Sequence, residues 1–217
     1  MTSLEKTTAA LEKNGMTVLY AETAEQARVL VLSKIPEGAV CASGGSMTLA
    51  EAGVIGALKS GNYNYIDRNA PNLTPEEREA AMTRAMRADV YLASANAVTE
   101  NGEVYNVDGF SNRVSALLYG PKRVILLVST DKIVKNLDEA ILRVKTVAAP
   151  KNAKRLNCDT YCAHTGHCVS LDRKGGSYGM TDGCDSPSRI CCNYVVMGPQ
   201  RQKGRVTVVL VGEPLGY

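Results

Sequence analysis

The chain has no tryptophan, one phenylalanine and two histidines in 217 residues. Its ten tyrosines are the only other aromatic rings, so the stacking platform that holds single-stranded nucleic acid is not indicated. Both histidines, His164 and His167, stand in one late segment. No Ser-His-Asp set is apparent, and triad hydrolysis is not expected. A dominant sign of charge is missing too. The 25 basic and 22 acidic residues leave a net +3, too small and too evenly mixed a bias to argue for nucleic acid or a membrane surface. No apolar run reaches the roughly 18 residues of a membrane span. The longest candidate, Val124 to Ser129 (VILLVS), has strand length. The opening MTSLEKTTAALEKNG is too polar, with charges alternating in sign, for a secretory signal. The expected location is the cytoplasm, where thiols are normally reduced and a cysteine cluster more often binds metal or carries redox chemistry than forms disulfides.

Hydrophobic content of 45% and charged content of 22% are ordinary for a globular chain. The length suits one α/β domain, alone or with a small appendage. No internal repeat is apparent. Helix and strand signals alternate through the first 150 residues. Ser3 to Lys13 reads as a helix stopped by Asn14-Gly15. MTVLYA and GAVCAS read as strands, with a helix capped by Thr23 between them. MTLAEAGVIGALKSG is a helical pattern and YNYID a strand. Thr74-Pro75-Glu76-Glu77 combines an N-cap, a first-position proline and a capping box, and starts a helix reaching about Arg87. Val90 to Ser94 and Val104 to Val107 are strands around an Glu100-Asn101-Gly102 turn. Asn112 to Leu118 is a short helix and Lys122 to Ser129 a buried strand. Asp131 is expected to cap a helix carrying Ile133, Val134, Leu137, Ile141 and Val144. The alternation predicts an α/β fold, a mostly parallel sheet with helices on both faces. The expected division is a core over residues 1–150, a cysteine-rich segment over 151–204 with little periodicity, and a strand over 205–217 (RVTVVLV) that rejoins the sheet.

Two polar constellations suggest a pocket. In ASGGSMTLAEAG a strand breaks into a helix. Gly44 and Gly45 permit a tight turn and close backbone approach, and Ser46 or Thr48 can cap the helix and leave amides aimed at a phosphate or carboxylate. The sequence matches neither a Walker A loop nor a full GxGxxG, so an ordinary capped turn competes with this reading. Farther on, SANAVTENGEVYNVDGFSNRV gathers Asn96, Glu100, Asn106, Asp108, Asn112 and Arg113. Strand ends of open α/β sheets are where sites assemble. Arg113 is suited to bidentate contact with an anion, and Asp108 or Glu100 to acid–base work if buried. Turn chemistry is the competing account of Glu100-Asn101-Gly102.

Six of the seven cysteines lie between Cys158 and Cys192, spaced C-x3-C-x5-C-x15-C-x6-C-C. No C-x2-C knuckle and no ferredoxin run is present, so spacing is a poor metal signature and count and locality are the better argument. Metal ligation, disulfides or redox thiols, and inert burial all remain open. His164 and His167 are candidate substitutes at one ligand position, with exposed loop histidines as the alternative.

GGSMTLAEAGVIGALKSGNYNYIDR, SANAVTENGEVYNVDGFSNRVSALLYGPKRVILLVS, and the pair CAHTGHC and GCDSPSRIC together resemble the lactate-utilization (LUD) domain family, in the stand-alone type similar to lactate utilization protein C. The resemblance covers almost the whole chain, and its middle motif is the most specific. It implies a fold similar to the sugar-phosphate isomerase and CoA-transferase group. It implies an anion-binding turn at Gly44, Gly45, Ser46, Met47 and Thr48, with Asn96, Glu100, Asn106, Asp108, Asn112 and Arg113 as neighbours. Family members are implied to serve oxidation of L-lactate or a related 2-hydroxy acid with iron–sulfur partner subunits. The resemblance also selects Cys162, Cys168, Cys184 and Cys191 as the four matching ligands of an iron–sulfur cluster or, alternatively, zinc. It leaves Cys158 and Cys192 as extras. The chain departs from the pattern where Val169 to Gly183, containing RKGGSYG, separates Cys168 from Cys184. The expected partners are a small carboxylate or phosphorylated metabolite, with iron–sulfur subunits and a homo-oligomer as further options. A non-catalytic metabolite-binding module, and an isomerase or transferase acting on a sugar phosphate or CoA ester, are the rival functions.

Overall fold

The computed structural model describes residues 1–173 and 178–217. The middle of the RKGGSYG insertion therefore lies outside the described residues. The chain runs α1 (Ser3–Lys13), β1 (Thr17–Ala21), α2 (Ala24–Ser33), β2 (Val40–Ser43), α3 (Met47–Glu51), α4 (Val54–Leu58), β3 (Asn64–Ile66), α5 (Pro75–Ala85) and β4 (Val90–Ala93). It continues through β5 (Ala97–Thr99), β6 (Val104–Asp108), α6 (Asn112–Leu118), β7 (Arg123–Ser129), β8 (Ile133–Val134) and α7 (Leu137–Arg143). It ends with α8 (Ala149–Arg155), α9 (Tyr161–Thr165), β9 (Asn193–Met197) and β10 (Val206–Val211).

The main sheet has the order β1-β10-β7-β4-β2-β3 and all its pairings are parallel. Its central strand shows why the sequence there is continuously apolar. Val124, Leu126 and Val128 pack into the core on one face, with Leu11, Ala116 and Leu117. Ile125 and Leu127 pack into the core on the other face, with Ala27, Val31, Leu49 and Val54. A parallel sheet covered on both sides has no solvent face to make polar. The expected α/β class with a mostly parallel sheet is the observed one, and RVTVVLV enters between β1 and β7.

A second sheet, β8-β5-β6-β9, pairs β5 and β9 antiparallel to β6 and β8 parallel to β5. It changes two expectations. The boundary at residue 150 falls inside one helical run, because α7 continues through a π-helical turn (Val144–Ala148) into α8. The cysteine-rich segment also returns a strand to the core, since β9 pairs with β6 from Asp108↔Asn193 to Val104↔Met197.

Local chemistry explains the remaining shifts. MTLAEAGVIGALKSG is broken into α3 and α4 at Gly53, which takes φ 73°, a left-handed value that glycine adopts without penalty. Asp131 does not cap the late helix. Thr130–Lys132 forms a 3₁₀ turn, Ile133 and Val134 pair with β5, and Asn136 caps α7 by accepting from the Glu139 amide at 3.0 Å. The caps at Thr23 and Thr74 form as read, the latter with its reciprocal capping box.

Candidate functional site

Because the main-sheet strands are parallel, their C-terminal ends emerge on one edge. Ser46 follows β2, Arg68 follows β3, Ser94 follows β4 and Lys132 follows β7. With Asp108 from the end of β6 they line an open cavity of about 570 Å³. Gly45, Met47, Thr48, Asn96, Asn112 and Arg113 line it too. The cavity therefore brings together most of the residues of the two polar constellations.

Three expected members occupy other places. Glu100 sits at the hairpin tip against α1, with its carboxylate 3.2 Å from the Lys6 ammonium. Hydrogen bonds from Ser3 and Lys6 hold its carboxyl below the usual range. It belongs to the turn, and the acid–base role expected of it is corrected. Gly44 gives room to Arg113: a Cβ there would lie 3.1 Å from Arg113 Cγ and Cδ. Gly45 likewise lets Arg68 close in, with Nη2 3.0 Å from a Cβ at that position. Asn106 is fully buried, and its Oδ1 accepts from Arg113 at 2.7 Å. Its Nδ2 has no hydrogen-bond partner among the described residues.

Arg113 has a different job from the expected one. Its Nε donates to Asp108 Oδ1 at 3.4 Å, and its Nη1 donates to Asn106 Oδ1 and the Ser94 carbonyl. Its Nη2 donates to Asn96 Oδ1 and the Val107 carbonyl. A guanidinium carries five N–H donors, and all five are engaged by the protein. Arg113 therefore positions the ends of β4 and β6 and has no donor left for a bidentate grip on a ligand. Asp108 is engaged as well. Its Oδ2 accepts from the Val114 amide at 3.1 Å, closing the first turn of α6 where Ser111 makes no side-chain cap. The turn at Ser46 accepts from Leu49 at 3.2 Å, but α3 is only five residues long. A helix that short contributes little dipole, so the cavity's positive charge comes from side chains.

Lys132 supplies the deepest of that charge. It is 1% exposed. Its Nζ donates to Thr48 Oγ1 at 2.7 Å and lies 3.4 Å from Ser94 Oγ. Burial first, then the neighbouring Arg143, lowers its pKa to about 8. A lone lysine after a buried strand carries no motif. The available signal is its position at the C-terminal end of the central strand, together with Arg68 after β3.

A second cavity, about 30 Å³, lies beneath the small sheet. Cys162, Cys168, Cys184 and Cys191 all line it, while Cys158 and Cys192 do not. His164 and His167 are outside it, bonded to Asp159 and Asp172. Cys162 comes from α9, capped by Thr160, whose hydroxyl lies 3.4 Å from the thiol. Ser170 donates to Cys168 Sγ at 3.3 Å. Burial and the adjacent thiols push Cys191 up to about 12, and burial raises Cys162 as well. All seven cysteines are free thiols. Among the described residues, no three His, Cys, Asp or Glu side chains stand together as ligands of a single metal ion.

Two cations stand in the wall. Arg189 donates to the carbonyls of Cys191, Cys184 and Thr181 and to the Tyr194 hydroxyl. Lys145 donates to Ser170 Oγ at 3.1 Å and to the Asp182 carbonyl. Val144, Ala149, Arg189, Ile190 and Cys191 line both cavities, so the thiol cavity and the cationic cavity share a wall. Cys41, by contrast, is a fully buried core residue of β2, pushed up to about 11 by burial.

No helix among the described residues is long and apolar enough to cross a membrane. No curated protein matches the chain. A crystal structure of a DUF162 family protein from Deinococcus radiodurans is similar in fold, with a TM-score of 0.52 at 15% identity over 97% of this chain and 96% of that one. The family model described as the LUD domain matches residues 4–211. The chain thus belongs to the LUD domain family.

Proposed function

We propose that this protein serves the oxidation of L-lactate or a related 2-hydroxy acid, as a stand-alone LUD protein similar to lactate utilization protein C. Its fold is read as a variant of the sugar-phosphate isomerase and CoA-transferase group with a cysteine-rich segment added. The reading rests on one observation above all: four cysteines line one small cavity that shares a wall with a cationic cavity at the strand ends.

The thiol cavity is small, about 30 Å³, and four sulfurs line it. We read these four, Cys162, Cys168, Cys184 and Cys191, as the ligands of an iron–sulfur cluster, with zinc as the alternative that a four-thiolate set also suits. Such a cluster, when bound, supplies a one-electron acceptor. The protein's part is electrostatic and steric. Lys145 and Arg189 offset the negative charge of four thiolates, and the apolar wall from Tyr105, Ile141 and Met180 excludes water. On the other side, Lys132 attracts the carboxylate of the acid. Arg113, through Asn96 and Asp108, keeps the cavity wall in place. Ile190 and Cys191 separate the two cavities, so a bound acid would lie against the loop that carries a cluster ligand.

The test is dye reduction by L-lactate with anaerobically purified protein and its iron–sulfur partner subunits. Activity lost in both Cys191→Ser and Lys132→Met supports the reading. Activity kept in either variant removes the corresponding cavity from it.

A further inference from the structure

Charge is distributed very unevenly around the cationic cavity. Arg68, Arg78, Arg155 and Arg189 line it, together with Lys132 and Arg113. Among the described residues, Asp108 is the only carboxylate side chain in the lining, and Arg113 neutralises it at 3.4 Å. Among the described residues, none of Lys132, Arg68, Arg78, Arg155 or Arg189 pairs with a carboxylate. Arg155 and Arg189 are engaged by neutral partners: Asn152 and Tyr217 hold the first, and backbone carbonyls with Tyr194 the second.

Lys132, Arg68 and Arg78 are the cations with capacity to spare. Lys132 is buried, has three N–H donors, and meets two hydroxyls, from Thr48 and Ser94. Asp131 and Glu51 act on it only from beyond contact distance, and a buried ammonium with no carboxylate in contact is costly and normally finds one. Arg68 leans over Gly45, and among the described residues its one side-chain hydrogen bond runs from Nη1 to the Met82 sulfur at 3.6 Å. Arg78 lies on the exposed side of α5. One lysine is thus on the floor and two arginines stand on the α5 side of the cavity.

Size points the same way. A cavity of about 570 Å³ is in the range that encloses ligands of many atoms. Lactate is among the smallest of metabolites and carries one charge. Its one carboxylate leaves most of that cationic lining without a counter-ion.

We infer that the ligand of this cavity carries at least two anionic groups, as a dicarboxylic or phosphorylated hydroxy acid does. Lys132 is the counter-ion of the deeper group, and Arg68 and Arg78 receive the outer one. The inference rests on the anion-pocket reading above and narrows its substrate class.

Calorimetric titration at fixed pH and ionic strength tests it, with L-lactate, L-malate and 3-phosphoglycerate as probes. The dianionic probes are expected to bind at least about tenfold more tightly than lactate. Malate against 3-phosphoglycerate then separates a second carboxylate from a phosphate. Lys132→Met is expected to weaken every probe by about tenfold or more. In Arg68→Gln/Arg78→Gln, whose side chains are outside the core, the ratio of dianion to lactate affinity falls towards one. Arg123→Gln, on the exposed opposite end of β7, leaves all affinities unchanged. Lactate binding as tightly as the dianions, or a ratio unmoved in the double variant, overturns the inference and leaves the pocket reading standing. Failure of all three probes to bind overturns both.

Discussion

The two cavities are built from opposite materials, although they share Cys191. The larger is open, lined by arginine and lysine, and assembled at the ends of four parallel strands. The smaller is mostly apolar, with four thiols, and is assembled from loops, α9, the α7–α8 run and Tyr105 and Tyr194 of the second sheet. Under the proposed function the first receives an anion and the second holds the redox group, with Val144, Ala149, Arg189, Ile190 and Cys191 as the wall they share. The region that looks least regular in the sequence is tied to the fold by Arg189, one guanidinium spread over three carbonyls and a tyrosine.

If the two regions are chemically separate, variants in one should spare the other. The largest effect is expected at Cys191→Ser, which removes one of the four proposed ligands. Iron and sulfide per chain should fall to near background, while Cys158→Ser and Cys192→Ser, outside the thiol cavity, retain them. Next is Arg113→Met. It strands Asp108 and unties Asn96 and Asn106, so denaturant titration should show a loss of about 3 kcal/mol with the metal content of the folded fraction unchanged.

A smaller effect follows from Lys132. Burial lowers its pKa to about 8, so the ammonium is present below that pH and lost above it. Malate affinity should hold steady below about pH 7 and fall about tenfold between about pH 7 and pH 9, a decline absent in Lys132→Met. The same shift acts on stability with the opposite sign. The native chain releases this proton before the unfolded chain does, so this residue's contribution rises between about pH 8 and the ordinary lysine value near 10.4. The smallest effect belongs to Glu100→Gln. It should leave anion binding and metal content unaltered and shift the melting temperature only within experimental scatter, since its partner Lys6 is a surface residue.

What the sequence discloses depends on how local the cause is. α2 and α5 are legible because each cap lies within three residues of the amide it satisfies, and α1 because Asn14-Gly15 stops it. β7 is legible because burial on both faces leaves a continuous apolar run. Lys132 is not, because its environment is made by Thr48 from the turn after β2 and Ser94 from the end of β4. The role of Arg113 is half legible. Its nearness to Asn96, Asn106 and Asp108 follows from the motif, but the exhaustion of its donors depends on two backbone carbonyls that only the fold brings near. Ile133 and Val134 look helical by period, and pairing with β5 overrides that preference. Glu100 shows the reverse: the Glu-Asn-Gly turn accounts for it fully, and its chemistry added nothing to the cavity.

The central claim is that Cys162, Cys168, Cys184 and Cys191 jointly hold an iron–sulfur cluster against the anion cavity. Anaerobic purification followed by iron, sulfide and zinc analysis with a visible spectrum tests it directly. The account predicts brown protein with iron and sulfide in equal amounts, about four of each per chain if the cluster is the cubane type, and broad visible absorbance that bleaches on reduction. Colourless protein carrying about one zinc per chain and no sulfide would contradict it.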